Sequence, residues 1–328
     1  MNALIYIAIF IGAAIVSALA AIQLSIHANK ISKHSNMSGF VTGTLLLAVA
    51  TSLPELTVTI SASIINNPDI AIGNGLGSIL FNFFVLFAFD IHFRGKRLFL
   101  HVSDHHVYSG IISLILGLIT AIGLVLHSSI AIMHISFISV LIITVYIVGI
   151  KIISKAKSDQ NTTTKTEKEP LTQSNKLKYS VTKFILFSVI IFVSGSALSL
   201  SGDAMARSTG ISSTAIGGIL VAMASSIPDA MSVYTALRLA NVNLAIGTIL
   251  GSNMFNILAL TIADVFYSKG SIWLDTDNQL VYMSLIGCFL TLMVMLIIKR
   301  DHTKNTFTYI LPSLIAVVSY FVIVFFVM

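Results

Sequence analysis

Charge is what this sequence has least of. Only 10% of its 328 residues are Asp, Glu, Lys or Arg, against 56% hydrophobic residues and a mean hydropathy of +0.94. That balance lies far outside a soluble globular domain. Cysteine occurs once, at Cys288, so an intrachain disulfide is excluded and the redox compartment cannot be read. No Lys or Arg precedes the first apolar run, MNALIYIAIFIGAAIVSALAAIQLSI. The run lacks the basic start of a signal peptide and is longer than a typical one, so it reads as a retained first helix. The net charge of +6 raises nucleic acid as a partner, but the placement of the basic residues speaks for membrane topology instead.

A membrane-spanning helix needs roughly 20 mostly apolar residues. Ten segments qualify, at 2–26, 37–65, 70–90, 107–126, 130–150, 182–202, 211–236, 244–267, 279–298 and 306–327. With the N-terminus outside, 17 of the 19 Lys and Arg residues fall in cytoplasmic loops, and only Arg207 and Lys269 fall outside. This is the asymmetry that the positive-inside rule expects. It predicts a multi-pass protein with both termini outside, in a membrane that we expect to be a prokaryotic plasma membrane. The one long polar stretch, 154–180, is rich in Lys, Thr, Gln and Asn and has no apolar periodicity. It is expected to be a flexible cytoplasmic linker.

The chain repeats itself. Residues 43–90, GTLLLAVATSLPELTVTISASIINNPDIAIGNGLGSILFNFFVLFAFD, align without gaps to 217–264, GGILVAMASSIPDAMSVYTALRLANVNLAIGTILGSNMFNILALTIAD. At a constant offset of 174, 18 of 48 positions are identical. Apolar composition alone would pair Leu with Leu. It would not pair Pro54 with Pro228, Gly77 and Ser78 with Gly251 and Ser252, and Phe81 and Asn82 with Phe255 and Asn256. Glu55 pairs with Asp229, and Asp90 with Asp264. Five helices per half is an odd number, so the second half enters from the opposite side. The expected fold is therefore all-α: ten transmembrane helices in two five-helix inverted-topology repeats, with the second and seventh helices broken at the prolines. The halves are 1–153 and 181–328, joined by 154–180. Inverted repeats with broken helices are a secondary-transporter architecture.

A proline frees backbone carbonyls in the preceding helical turn, and lipid offers them no partner. Near the first break these belong to Ala48, beside Thr51, Ser52 and Glu55; near the second, to Ala222, beside Ser225, Ser226 and Asp229. Ser78 and Asn82, like Ser252 and Asn256, are four apart and share a helix face. Gly73, Gly77, Gly247 and Gly251 would permit close helix approach. Carboxylate, amide, hydroxyl and carbonyl are all hard oxygen donors. With no sulfur or imidazole at the matched positions, they suit Ca²⁺ or Na⁺ rather than Zn²⁺ or Cu⁺. Two ionised carboxylates are balanced by one Ca²⁺ or by two Na⁺, and an empty site is costly, which favours exchange over uniport.

Each feature has a bland counterpart. A lone membrane proline is more often a tolerated kink, and Gly and Ser stripes more often pack than ligate. An acid within a membrane segment is functional by default, and repetition of the Pro–acid pair with Ser-x-x-x-Asn outweighs the bland account. Asp90 and Asp264 lie at helix ends on opposite membrane faces and are expected to be solvated. His134 is expected to be a hydrogen-bonded core residue. His101, Asp104, His105 and His106 resemble a metal cluster only by composition and are expected at the surface.

At ATSLPEL with GNGLGSILFNF, and ASSIPDA with GTILGSNMFNI, the chain resembles the cation/Ca²⁺ exchanger superfamily, and within it the sodium/calcium exchangers. The resemblance covers both signature repeats, the ten-helix layout and the central loop. It implies alternating access, with the first and sixth helices sliding past the other eight. It assigns a divalent site to Glu55, Asp229, Thr51 and Ser225, and flanking Na⁺ sites to Ala48, Ser52 and Ser78 and to Ala222, Ser226 and Ser252. Asn82 and Asn256 complete the centre. Many prokaryotic relatives and the potassium-dependent exchangers have Asp where this chain has Asn256; the set Glu, Asn, Asp, Asn resembles the animal exchangers and argues against K⁺ co-transport. The short loop lacks their calcium-sensing domains. The resemblance implies bound Na⁺ and Ca²⁺ as substrates, with no catalytic residue, no other cofactor, no nucleic acid and no obligate protein partner. Competing readings are H⁺-coupled Ca²⁺ exchange, exchange of Mg²⁺ or Mn²⁺, a passive channel, and an intramembrane aspartyl protease, which would need two aspartates sharing a proton.

Overall fold

A computed structural model describes residues 3–34, 50–93, 98–127, 131–132, 135–158, 174–238, 242–299 and 305–327. In chain order the helices are α1 (Ala3–His34), α2 (Leu53–Ile64), α3 (Pro68–His92), α4 (His106–Leu126), α5 (Phe137–Ser158), α6 (Ser174–Thr209), α7 (Ser213–Ser225), α8 (Ile227–Arg238), α9 (Val242–Phe266), α10 (Gln279–Ile298) and α11 (Thr306–Val327). A two-residue antiparallel pair, β1 (Ala131–Ile132) and β2 (Ile135–Ser136), precedes α5.

Among the described residues eight helices are long and apolar enough to cross a membrane, and nine if α7 and α8 form one bent span. The segment expected at 37–65 is described only from Ala50 onward, with Ala48 and Gly43 outside the described residues. Two boundaries differ from expectation. The stretch 154–180 is helical at both ends, since α5 continues to Ser158 and α6 begins at Ser174. Intrahelical hydrogen bonds satisfy these polar residues as they leave the apolar spans, which a composition-based boundary does not register. Second, α6 has 36 residues, about 54 Å at 1.5 Å per residue, well beyond a hydrocarbon core of about 30 Å.

The matched stretches fold alike. The second-half helices begin and end 174 positions after their counterparts: 53 to 227 and 64 to 238 for α2 and α8, 68 to 242 and 92 to 266 for α3 and α9. Local chemistry explains the breaks. Pro228 has no N–H for the carbonyl four residues earlier, and its ring crowds that turn. Ser226 accordingly leaves helical geometry (φ −87°, ψ 5°), and α7 and α8 meet at 47°. Ser52, at the same place before Pro54, has φ −94° and ψ 9°. α3 starts just as locally: Pro68 occupies its first turn, and the Asn67 side chain accepts from the Ile70 N–H at 3.1 Å.

α3 and α9 form the centre of the molecule, enclosed by α2, α4, α7, α8, α10 and α11. One large apolar cluster fills that centre, with Phe83, Phe87, Ile246, Leu260 and Trp273 among its buried members. α1 and α6 pack along each other on the outside. Two smaller clusters join them to the rest, one around Val58, Leu198 and Val221 and the other around Leu24, Ala50 and Ile191.

Glycine sets the closest approach. A Cβ on Gly77 would lie 2.0 Å from the Gly218 carbonyl oxygen, and one on Gly73 would lie 2.9 Å from the Gly218 nitrogen. Backbone thus touches backbone where α3 crosses α7, whose residues Ile216–Val221 form a π-helical turn. The expectation holds there; for the other half, residues 43–49, which match the α7 stretch 217–223, lie outside the described residues. Gly247 faces the His106 ring, and a Cβ on Gly251 would meet nothing within 4 Å among the described atoms.

Candidate ion-binding site

Breaking a helix beside an acid places that acid in the first turn of a new helix. Glu55 stands in the first turn of α2 and Asp229 in that of α8, where free N–H groups and the helix dipole favour negative charge. Both carboxylates are fully buried, and they lie close enough for their charges to repel.

Hydroxyls and amides surround them. The Ser226 hydroxyl donates to Glu55 Oε1 at 2.9 Å, so a residue of the second half binds the acid of the first. Asn82 Nδ2 donates to Asp229 Oδ2 at 3.2 Å, the reverse crossing. Thr51 and Ser252 place their hydroxyls beside Asp229, and Ser52 donates to Ser252 at 3.3 Å. Ser78 and Asn256 lie one turn from Asn82 and Ser252 and are buried. The eleven described members of the expected set are all buried; Ala48, the twelfth, lies outside the described residues.

The hydrogen bonds leave acceptors over. Glu55 Oε2, Asp229 Oδ1, Ser78 Oγ, Asn82 Oδ1 and Asn256 Oδ1 are buried with no partner among the described residues. Five unmet acceptors in an apolar interior, each costing about 1–3 kcal/mol, need a common donor or a cation. No Lys or Arg forms an ion pair with either acid among the described residues.

One backbone expectation changes. The Ala222 carbonyl accepts from the Ser226 N–H at 3.0 Å and from the Ser225 hydroxyl at 3.2 Å. The proline removes the donor for Ala224, not for Ala222, so Ala222 contributes only what a carbonyl retains beside two hydrogen bonds.

Two residues outside the matched pattern belong here. Asn74 donates to the Glu55 carbonyl at 3.1 Å and to the Thr59 hydroxyl at 2.9 Å, and accepts from Ser225 at 3.1 Å. It ties the start of α2 to the end of α7. Asn253 accepts from Asn82 at 3.1 Å. Their counterparts at offset 174 are Thr248 and Ile79, so comparing the repeats passes over them. The available signal was helical spacing, since Asn74 stands one turn before Ser78 and Asn253 one turn before Asn256.

The remaining candidates divide. Asp90 and Asp264 are buried, not solvated. Tyr309 and Ser313 donate to Asp90; the Ser136 N–H, the Ser139 hydroxyl and the Ile272 N–H donate to Asp264 at 2.7–2.8 Å. Partners from α11, and from β2, α5 and the loop after α9, enclose the two helix ends. His106 is also buried, against Gly247, rather than at the surface; α9 covers it. Among the described residues no three of His, Cys, Asp and Glu come together as a metal site. His134 lies outside the described residues.

A profile of sodium/calcium exchanger proteins matches residues 5–155 and 179–328. The chain belongs to that family. It is 25% identical over 239 residues to an uncharacterized membrane protein of Methanocaldococcus jannaschii, covering 72% of this chain and 74% of that one. It is 22% identical over 238 residues to the inner membrane protein YrbG of Escherichia coli, covering 71% and 70%. Among solved structures it resembles the sodium–calcium exchanger NCX_Mj soaked with 10 mM Na⁺ and zero Ca²⁺, with TM-score 0.60 and 20% identity over 98% of each chain. It also resembles native YfkE, with TM-score 0.65 and 14% identity over 97% of this chain and 91% of that one. At these identities the likeness concerns the fold. The family consists of exchangers rather than enzymes, which removes the protease reading and makes this chain a multi-pass cation/Ca²⁺ antiporter.

Proposed function

We propose that this exchanger moves Na⁺ against Ca²⁺ by alternating access. The observation that carries the reading is the pair Glu55 and Asp229, each buried in the first turn after a break and each with one oxygen lacking a protein partner. Thr51 and Ser225 complete a divalent site between them. Ser52, Ser78 and Ala48 flank it on one side, and Ser226, Ser252 and Ala222 on the other, as Na⁺ sites. Asn82 and Asn256 close the centre. Two carboxylates are neutralised by one Ca²⁺ or two Na⁺, so occupancy by either ion relieves the same repulsion, and passage empty is disfavoured. The transported ions are the only bound groups that this chemistry calls for, and no obligate protein partner is required.

The same reading assigns ten spans in two inverted five-helix halves, 1–153 and 181–328, around the segment 154–180. The tenth span is the segment 37–65, of which residues 50–65 are described. Both termini face outside, and the host is a prokaryotic plasma membrane.

The test is uptake of radiolabelled Ca²⁺ into Na⁺-loaded proteoliposomes diluted into Na⁺-free or Na⁺-matched buffer, with a protonophore control. Uptake that needs the Na⁺ gradient and ignores the protonophore is expected. Uptake abolished by the protonophore would move the coupling to H⁺, which two buried carboxylates can also bind. Unsaturable uptake without a counter-ion would make the protein a channel.

A further inference from the structure

A primary amide is a ligand at one end and a repellent at the other. Its oxygen accepts or coordinates, whereas its NH₂ group turns donors toward a cation. Rotation by about 180° about χ2 exchanges the two ends within a nearly unchanged shape, so the surroundings must choose between them. At Asn82 the choice is visible. Its Nδ2 lies between two acceptors, Asp229 Oδ2 at 3.2 Å and Asn253 Oδ1 at 3.1 Å. Both N–H bonds are thereby used, and Oδ1 is left buried with no protein partner. The orientation of Asn253 follows in turn, because an NH₂ facing the NH₂ of Asn82 would repel it. Asn253 Nδ2 accordingly points elsewhere and has no partner.

We propose that Asn253 is a positioning residue for transport. Its Oδ1 holds the second N–H of Asn82, so that Asn82 presents its oxygen and not its NH₂ to the transported cation. The Asp229 bond alone does not secure this. When a cation binds, the Asp229 carboxylate is drawn into its coordination and becomes a weaker acceptor for Asn82. Asn253 carries no charge and keeps its hold through that change. Asn256 shows the contrast: its Nδ2 and Oδ1 are both unpartnered among the described residues, and none of those residues selects an end. The centre of the site then contains one amide fixed in advance and one that turns to suit its occupant. The inference rests on the reading of Asn82 as a cation ligand.

The test uses the full-length purified exchanger, with Ca²⁺ as the probe. Ca²⁺-dependent thermal stabilisation gives an apparent Kd, and proteoliposome uptake gives KM and maximal rate. Asn253→Leu removes the acceptor at similar size, and Asn253→Ser leaves a hydroxyl too short to reach Asn82. Both should raise the Ca²⁺ Kd and KM about tenfold, one oriented contact's worth, with a smaller effect on maximal rate. Asn253→Asp keeps an acceptor facing Asn82 and should bind Ca²⁺ at least as tightly as the wild type. In an Asn82→Ala background, Asn253→Leu should add no further loss. An unchanged Kd in the Leu or Ser variant, with only cation-free stability lowered, would make Asn253 structural and overturn the inference alone. Losses that multiply between Asn82→Ala and Asn253→Leu would overturn it as well. A wild-type protein with no Ca²⁺-induced stabilisation would overturn the reading of the site, and this inference with it.

Discussion

The Ser139 hydroxyl donates to Asp264 Oδ2 at 2.7 Å across 125 positions of sequence. The bond has a mirror. Ser313 stands 174 positions after Ser139 and donates at 2.6 Å to Asp90, which stands 174 positions before Asp264. Asp90 at the end of α3 thus fastens α11, and Asp264 at the end of α9 fastens α5. Neither aspartate belongs to the candidate ion site. Together they tie the two halves across the ends of the central helices.

The donors differ in kind, and that predicts unequal losses. Two of the three groups facing Asp264 are backbone N–H groups, from Ser136 and Ile272. They cannot turn to accept, so the NH₂ introduced by Asp264→Asn would leave a donor facing a donor at a cost of about 1–3 kcal/mol. The groups facing Asp90 include the hydroxyls of Tyr309 and Ser313, which rotate to accept as readily as they donate. Asp264→Asn should lower the thermal midpoint in detergent by several degrees, and Asp90→Asn by less. Equal drops would refute the argument from donor type.

Replacing Glu55 by Gln keeps the shape and removes the charge. Divalent uptake should fall by roughly 100-fold or more, in keeping with the 3–5 kcal/mol that losing one partner of a buried charge site costs. The fold should persist, with a cation-free melting temperature equal to or above that of the wild type, since a repelling pair has been relieved. Ca²⁺ should no longer raise that temperature. Wild-type flux in the variant would remove Glu55 from the site. Asp229→Asn should behave in the same way.

The central features of this site are legible in the sequence because duplication marks them. Pro54 with Glu55 and Pro228 with Asp229 stand out against apolar surroundings, and Ser-x-x-x-Asn needs only helical periodicity to reach one face. Asn74 and Asn253 carry no such mark, because Thr248 and Ile79 stand at the matched positions. Asp90, Asp264 and His106 look solvated for a different reason. Hydropathy locates a helix end but not what covers it, and the covers of the two acids come from Tyr309 and Ser313 or from Ser136 and Ser139, more than a hundred positions away. Tertiary partners at that separation leave no local pattern to read.

The helical glycines differ in how closely they are crowded. Gly77→Ala places a methyl 2.0 Å from the Gly218 carbonyl oxygen and 2.7 Å from the Ala222 Cβ. Backbone cannot yield as a side chain would, so overpacking there should cost at least about 1–3 kcal/mol and reduce the yield of folded protein. Gly12→Ala, on the exposed side of α1, meets nothing within 4 Å among the described atoms and should leave the melting temperature within about a degree, helped by the better helix propensity of Ala. Fluorescence-detected size exclusion with a melting series would separate the two. Similar behaviour of both variants would show that α3 does not cross α7 at Gly77.

Asn256→Asp tests whether position 256 faces the ion. Both amide atoms of Asn256 are buried without a partner among the described residues, so a carboxylate there would meet no waiting donor among them and, in the proposed reading, would share the site with Glu55 and Asp229. Its charge would have to be met by a cation or a proton, and the two would compete. Protons are the stronger competitor at low pH, so Ca²⁺ uptake by the variant should rise with pH across a range in which the wild type changes less. Transport should be retained, because the added group is still an oxygen ligand of similar size. The measurement is initial uptake rate against pH for both proteins at fixed Na⁺ gradient. Superimposable profiles would place residue 256 away from the transported ion and return its unpartnered amide to a purely structural role.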